Sequence, residues 1–209
     1  ELQALADAAK AVAAAAAGTA GLTSAQLSNL GITGVTPANM ALIQAAIAAT
    51  ADDGSAVDTN AKLQDLVNKA IASQLVIEAY AADVANPTPA IQDYANIGVT
   101  GVRNVASAAG AANKDAINAA LATDNTTGVS RAEADTPAQV QRIVDSYIKL
   151  LAQADSVASN TTTLATATDF DNIGVDLSSL NALGGVKTTN AQHWSLQVVE
   201  ALFGDASRN

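Results

Sequence analysis

A six-residue pattern recurs three times along the chain, and its form calls for a helix end at each place. Leu27-Ser28-Asn29-Leu30-Gly31-Ile32 returns 67 residues later as Tyr94-Ala95-Asn96-Ile97-Gly98-Val99, and a further 76 residues on as Phe170-Asp171-Asn172-Ile173-Gly174-Val175. Each copy reads apolar, any residue, Asn, apolar, Gly, apolar. Glycine takes up a left-handed backbone at least cost, so it is the natural residue just past a helix. In a Schellman turn the residue after that glycine folds back onto an apolar side chain of the last helical turn. The pattern therefore predicts C-terminal caps at Gly31, Gly98 and Gly174, with Asn29, Asn96 and Asn172 as constant members of each cap. Ile32, Val99 and Val175 are expected to pack on Leu27, Tyr94 and Phe170. A chain with internal repeats of this kind is read as a series of similar units before any other fold is considered.

The similarity continues past the glycine. Thr33-Gly34-Val35 is followed by Thr100-Gly101-Val102, while the third copy has Asp176-Leu177 instead. Thr36-Pro37 then marks a helix start. A threonine hydroxyl can accept a bond from an orphan backbone N–H, and proline at the first helical position gives up only a donor that had no partner. The same pair stands at Thr88-Pro89 and at Thr136-Pro137, and the fourth proline, Pro87, falls in a linker. Leu63, Leu66, Val67, Ala70 and Ile71 match Val140, Ile143, Val144, Tyr147 and Ile148 at an offset of 77. Both sets form the i, i+3, i+4, i+7, i+8 stripe of an amphipathic helix. A shorter third version runs from Thr189-Asn190 through Trp194, Val198, Ala201 and Leu202 after a one-residue slip.

Together these features predict an all-α fold of tandem three-helix-bundle repeats, joined end to end and elongated. Long helices are expected near 1–17, 58–85, 137–159 and 189–203, short capped ones near 24–30, 89–97 and 164–173, and connecting ones near 37–50 and 103–122. The corresponding division is 1–23 as the end of a preceding repeat, 24–85 and 86–159 as two full repeats, and 160–209 as a shortened third. The chain opens inside a helix, which is the expectation for an excerpt from a longer array. Such an array is held by the core of each unit and by contacts with its neighbours. Composition agrees with thin cores: 50 of the 209 residues are alanine and only 3% are aromatic. Alanine is the best helix former and lets helix axes approach to about 8 Å. The stretch Asn86-Pro87-Thr88-Pro89 must bend or break the helical path.

Chemistry is sparsely represented. With 20 acidic and 10 scattered basic side chains, the net charge of −10 excludes a nucleic-acid or anionic-membrane partner, which needs clustered Lys or Arg. No apolar run approaches the roughly 20 residues of a membrane span. There is no cysteine and a single histidine, His193, read as a helix-start residue rather than a base. That inventory cannot build the usual zinc or iron ligand set or a Cys/His nucleophile pair, and no Gly-x-Ser-x-Gly elbow or phosphate loop is present. Calcium, which needs only oxygen ligands, is the one cofactor worth weighing, at Asp52, Asp53 and Asp58 or at Asp169, Asp171 and Asp176. Neither set has EF-hand spacing, and short acidic side chains near helix starts commonly act as caps. The expectation is no cofactor and no catalysis.

The stretch Asn29 to Asn39 (Asn-Leu-Gly-Ile-Thr-Gly-Val-Thr-Pro-Ala-Asn), running on into Ala41 to Ala48, resembles the helical tandem repeats of giant bacterial surface adhesins of the RTX or biofilm-associated type. Asn96 to Val102, Asp115 to Leu121 and the helix Ala138 to Asp145 are similar, and the third copy departs after Val175. The resemblance implies a secreted, cell-surface protein of bacterial origin in which such units act as a spacer or stalk in adhesion or biofilm formation. Its partners would be neighbouring repeats of the same chain and possible contacts on another cell-surface protein. The alternative is a protein- or peptide-binding module with a groove between helices near Trp194, Tyr94 or Tyr147.

Overall fold

The computed structural model describes residues 1–19, 21–51, 54–106, 112–122, 134–153 and 165–175. Among these residues there are eight helices and no strand. The chain divides into two compact units, one formed by Glu1–Tyr80, Val84–Thr100 and Asp135–Ala138, the other by Ala81–Asp83, Gly101–Ala134 and Gln139–Asn209.

In the first unit, α1 (Leu2–Ala16) leads through a short capped helix, α2 (Ser24–Asn29), to α3 (Met40–Ala48) and the long α4 (Asn60–Ala82), with α5 (Ile91–Asn96) following. One core joins the first four helices. Val12, Ala15 and Ala16 of α1 meet Leu22, Leu27 and Ile32 around α2, Ile43 and Ile47 of α3, and Leu63 and Val67 of α4. The face that α1 buries is Ala8, Val12, Ala15 and Ala16, so its contact surface is nearly all methyl groups. Small residues there give close axes at the low end of helix spacing, while the larger Leu and Ile side chains supply about 1.5–3 kcal/mol each on burial.

The second unit holds most of α7 (Pro137–Gln153), with α6 (Lys114–Ala122) before it and α8 (Ala167–Asn172) after it. Leu150, Ala165 and Phe170 form a core flanked by Ile173 and Val175. Ile117, Leu121, Val140, Ile143 and Val144 are also buried. The apolar stripes of α4 and α7 therefore face inward, as their periodicity requires.

Helix starts are where structure and sequence part company. Residues 37–39 form a turn and α3 begins at Met40, so Pro37 precedes the helix rather than opening it. The reason is Asn39, whose side-chain oxygen accepts the Thr36 N–H at 2.8 Å and whose amide donates to the Gly34 carbonyl at 2.8 Å. That clamp holds the loop in a turn until Asn39 has been passed. Likewise α5 starts at Ile91, two residues beyond Pro89, and the helix expected from residue 103 starts at Lys114. Pro137, by contrast, is the first residue of α7 and Thr136 stands just before it. α4 ends at Ala82, and the Asn86 amide donates to the Ala79 carbonyl at 2.9 Å, closing the helix before Pro87. The expected helix at 189–203, with His193 and Trp194, lies outside the described residues.

Candidate functional site

The three repeated turns share one backbone geometry. Gly31, Gly98 and Gly174 have φ of +77°, +79° and +78°. Their N–H groups donate to the carbonyls of Ser28, Ala95 and Asp171 at 2.9–3.0 Å, and those of Ile32, Val99 and Val175 donate to Leu27, Tyr94 and Phe170 at 2.9–3.1 Å. This pairing, five residues back from the second N–H and three back from the glycine, is the Schellman arrangement. Leu27, Tyr94 and Phe170 are at most 1% exposed, which gives the turn its apolar anchor.

At the opposite end of each short helix a side chain three residues in reaches back to the N-cap. The Thr23 N–H donates to Gln26 Oε1 at 2.8 Å while Thr23 Oγ1 accepts the Gln26 N–H at 3.3 Å, a complete capping box. Ala90 has no side-chain oxygen, so only the half in which its N–H donates to Asp93 Oδ2 (2.8 Å) is present. The Thr166 N–H and hydroxyl both donate to Asp169 Oδ2, at 2.6 and 2.8 Å.

Those aspartates also reach the preceding long helix, and here the structure brings together residues that the sequence pattern does not reveal. Ser73 of α4 is 4% exposed; its hydroxyl donates to Asp93 Oδ1 and accepts from the Asn96 amide, both at 2.9 Å. In α7 the 3%-exposed Ser146 hydroxyl donates to Asp169 Oδ1 at 3.3 Å and accepts from the Asn172 amide at 2.9 Å. Asn96 and Asn172 thus tie their helices to a long helix instead of capping their own. In the first copy Gln26 replaces the aspartate and Asn29 is exposed, and the serine joint is seen in the other two copies.

The second glycine of the first two copies, Gly34 and Gly101, faces the following long helix. A methyl group on Gly34 would lie 3.7 Å from Ile71 of α4, and one on Gly101 would lie 2.7 Å from Ile148 and 3.4 Å from Val144 of α7. Asn113 repeats the clamp of Asn39: it accepts the Arg103 N–H at 2.7 Å and donates to the Gly101 carbonyl at 2.8 Å. Its partner is ten residues away in sequence, against three for Asn39 and Thr36, so the second copy carries seven additional residues inside the same clamp. Thr33 is further held by Gln64 of α4, whose side-chain oxygen accepts its N–H at 2.8 Å. The first two repeated segments thus touch the long helix before them through their short helices and the one after them through their glycine loops.

Electrostatics support the same joints. Burial pushes the Asp169 carboxyl up, but the Lys149 ammonium (2.7 Å) and the donors of Thr166 outweigh it and hold the group below its ordinary 3.8. Burial raises the Tyr94 hydroxyl well above its ordinary 10, helped by Tyr80 and Asp93, and burial raises Tyr147 too. Tyr94 is 0% and Tyr147 8% exposed. Both rings are buried in the core, so neither offers an exposed face to a groove near Tyr94 or Tyr147.

A solvent-open groove of about 380 Å³ in the first unit runs past Ala46, Thr50, Lys62, Asp65, Lys69 and Asn96. Its two lysines already pair with aspartates four residues before them, Lys62 with Asp58 at 2.8 Å and Lys69 with Asp65 at 2.6 Å. Among the described residues no group of three or more His, Cys, Asp or Glu side chains converges as a metal site. Of the residues weighed for calcium, Asp52, Asp53 and Asp176 lie outside the described residues, Asp58 pairs with Lys62, and Asp169 is engaged at its joint. No described helix is long and apolar enough to cross a membrane. Comparison with protein-family models, with curated proteins and with solved structures gives no match to this chain.

Proposed function

We propose that this chain is a non-catalytic structural repeat module of a secreted bacterial surface adhesin, serving as a helical spacer or stalk in cell adhesion or biofilm formation. In this reading three-helix units follow one another end to end on the bacterial surface, and each unit's main partner is the next unit of the same chain. The observation that carries it is the repeated joint: Ser73, Asp93 and Asn96 in one copy and Ser146, Asp169 and Asn172 in another make the same hydrogen bonds. A short helix fixed to the long helix before it, with a loop resting on the long helix after it, suits a segment whose task is to transmit position along the chain. The acidic surface, with 20 acidic against 10 basic residues, suits a soluble exposed stalk.

The test is attachment as a function of length. Chains with one, two and four copies of the module, each placed between a cell anchor and a known binding tip, should extend the reach of the tip in proportion to copy number. Surface substitutions that leave melting unchanged should not alter attachment. Attachment lost through single surface changes, at constant length and stability, would favour a binding module and reject the spacer.

A further inference from the structure

The long helices bury a continuous apolar stripe along part of their length, and α1 leaves the corresponding part open. The buried residues Ala8, Val12 and Ala16 of α1 match Ser73, Ile77 and Ala81 of α4, spaced four apart in both and all 4% exposed or less. Carrying that register back two further turns places Leu5 against Ala70 and Leu2 against Val67. Ala70 and Val67 are fully buried, whereas Leu5 is 41% and Leu2 84% exposed. Val67 belongs to one buried cluster with Leu27 and Ile32 from α2 and its turn and with Ile43 and Ile47 from α3.

We infer that the Leu2–Leu5 face of α1 is a docking surface for another copy of this repeat, specifically for an α2–α3 pair seated as α2 and α3 are seated on α4. The inference rests on the repeat-array reading and gives it a surface and a register. A copy of residues 21–65 joined directly to Glu1 would put Leu2 in the place of Val67. It would also extend α1 by the six residues 60–65 that begin α4.

The experiment compares the chain as it stands with the same chain lengthened at its N-terminus by residues 21–65. Amide exchange over Leu2–Lys10 should slow about tenfold or more in the lengthened chain, because two leucines leave water there. Leu2→Gln with Leu5→Gln should abolish that gain in the lengthened chain and leave the original chain unchanged, since both side chains are exposed in it. Two extra residues at the junction turn the stripe by roughly 200° and should abolish the gain as well. If the added copy is helical by circular dichroism but Leu2–Lys10 exchange is unchanged, the docking face is wrong while the array reading survives. If the added copy does not fold at all, the array reading fails and takes this inference with it. Protection that persists with the two-residue insertion or with both glutamines would also overturn it.

Discussion

Gly31 and Gly98 occupy the same place in the signature and have the same backbone, yet their replacement by alanine should differ sharply. At φ of +77° and +79° an alanine pays for the left-handed conformation, about 1–2 kcal/mol, offset in part by the lower entropy of the unfolded chain. Gly31→Ala meets nothing within 4 Å and should stop there, at about 1 kcal/mol. Gly98→Ala would put its methyl group 2.5 Å from the carbonyl oxygen and 2.8 Å from the carbonyl carbon of Ala45, closer than Cβ atoms are found to any neighbour. The obstacle is backbone in α3, which cannot rotate away, so an overpacking penalty of about 1–3 kcal/mol adds to the first. The total for Gly98→Ala is therefore about 2–4 kcal/mol. At about 2–4 °C per kcal/mol for a chain of this size, Gly31→Ala should lower the melting temperature by about 2–4 °C and Gly98→Ala by about 4–16 °C. With two compact units in the chain, melting followed by circular dichroism should be paired with amide exchange across α3 and α5. Exchange there should accelerate only in Gly98→Ala. Equal losses for the two variants would refute the idea that the second signature turn rests on α3.

Other expectations follow from the joints. Ser73→Ala should cost about 1–2 kcal/mol by stranding Asp93 and Asn96, and a double-mutant cycle with Asp93→Asn should show coupling of about 1 kcal/mol or more by urea unfolding. Additivity within about 0.3 kcal/mol would deny the joint its role. Because the Asp169 carboxyl titrates below its ordinary 3.8, its stabilising effect is complete above that pH and fades as pH falls through the lower folded value. Melting of the second unit should therefore soften below about pH 4, and Lys149→Met should move that softening to higher pH. Tyr94 stays protonated in the folded chain, and its contribution weakens only as pH rises beyond its ordinary 10, so tyrosinate absorbance from it should appear together with unfolding. Calcium titration should give no heat, and chelator should leave melting unchanged.

The legible parts of this chain were those written within one helical turn. The apolar-Asn-apolar-Gly signature spans six residues, so its backbone consequences at Gly31, Gly98 and Gly174 follow from the local sequence. The stripes of α4 and α7 were equally readable because a helix face repeats on a fixed period. The joints were hidden because their members are distant and unevenly spaced: Ser73 lies 20 residues before Asp93, but Ser146 lies 23 before Asp169. A fixed-offset comparison cannot align both the turns and the serines. A signal did exist in Asp93 and Asp169, each three residues before the signature asparagine. Asn113 escaped notice because its clamp encloses seven more residues than that of Asn39, and a helix was expected from residue 103. Tyr94 under its cap and Tyr147 in the α7 stripe were legible as packed residues, and in a core built mainly of methyl groups a large ring is what fills space.

The most direct test of the spacer account is small-angle scattering from the chain in solution. A compact globule of 209 residues has a radius of gyration of about 17 Å. Units joined end to end should give a value well above that, with a rod-like cross-section unchanged as further copies are added. A radius near 17 Å, growing only slowly with added copies, would contradict the account.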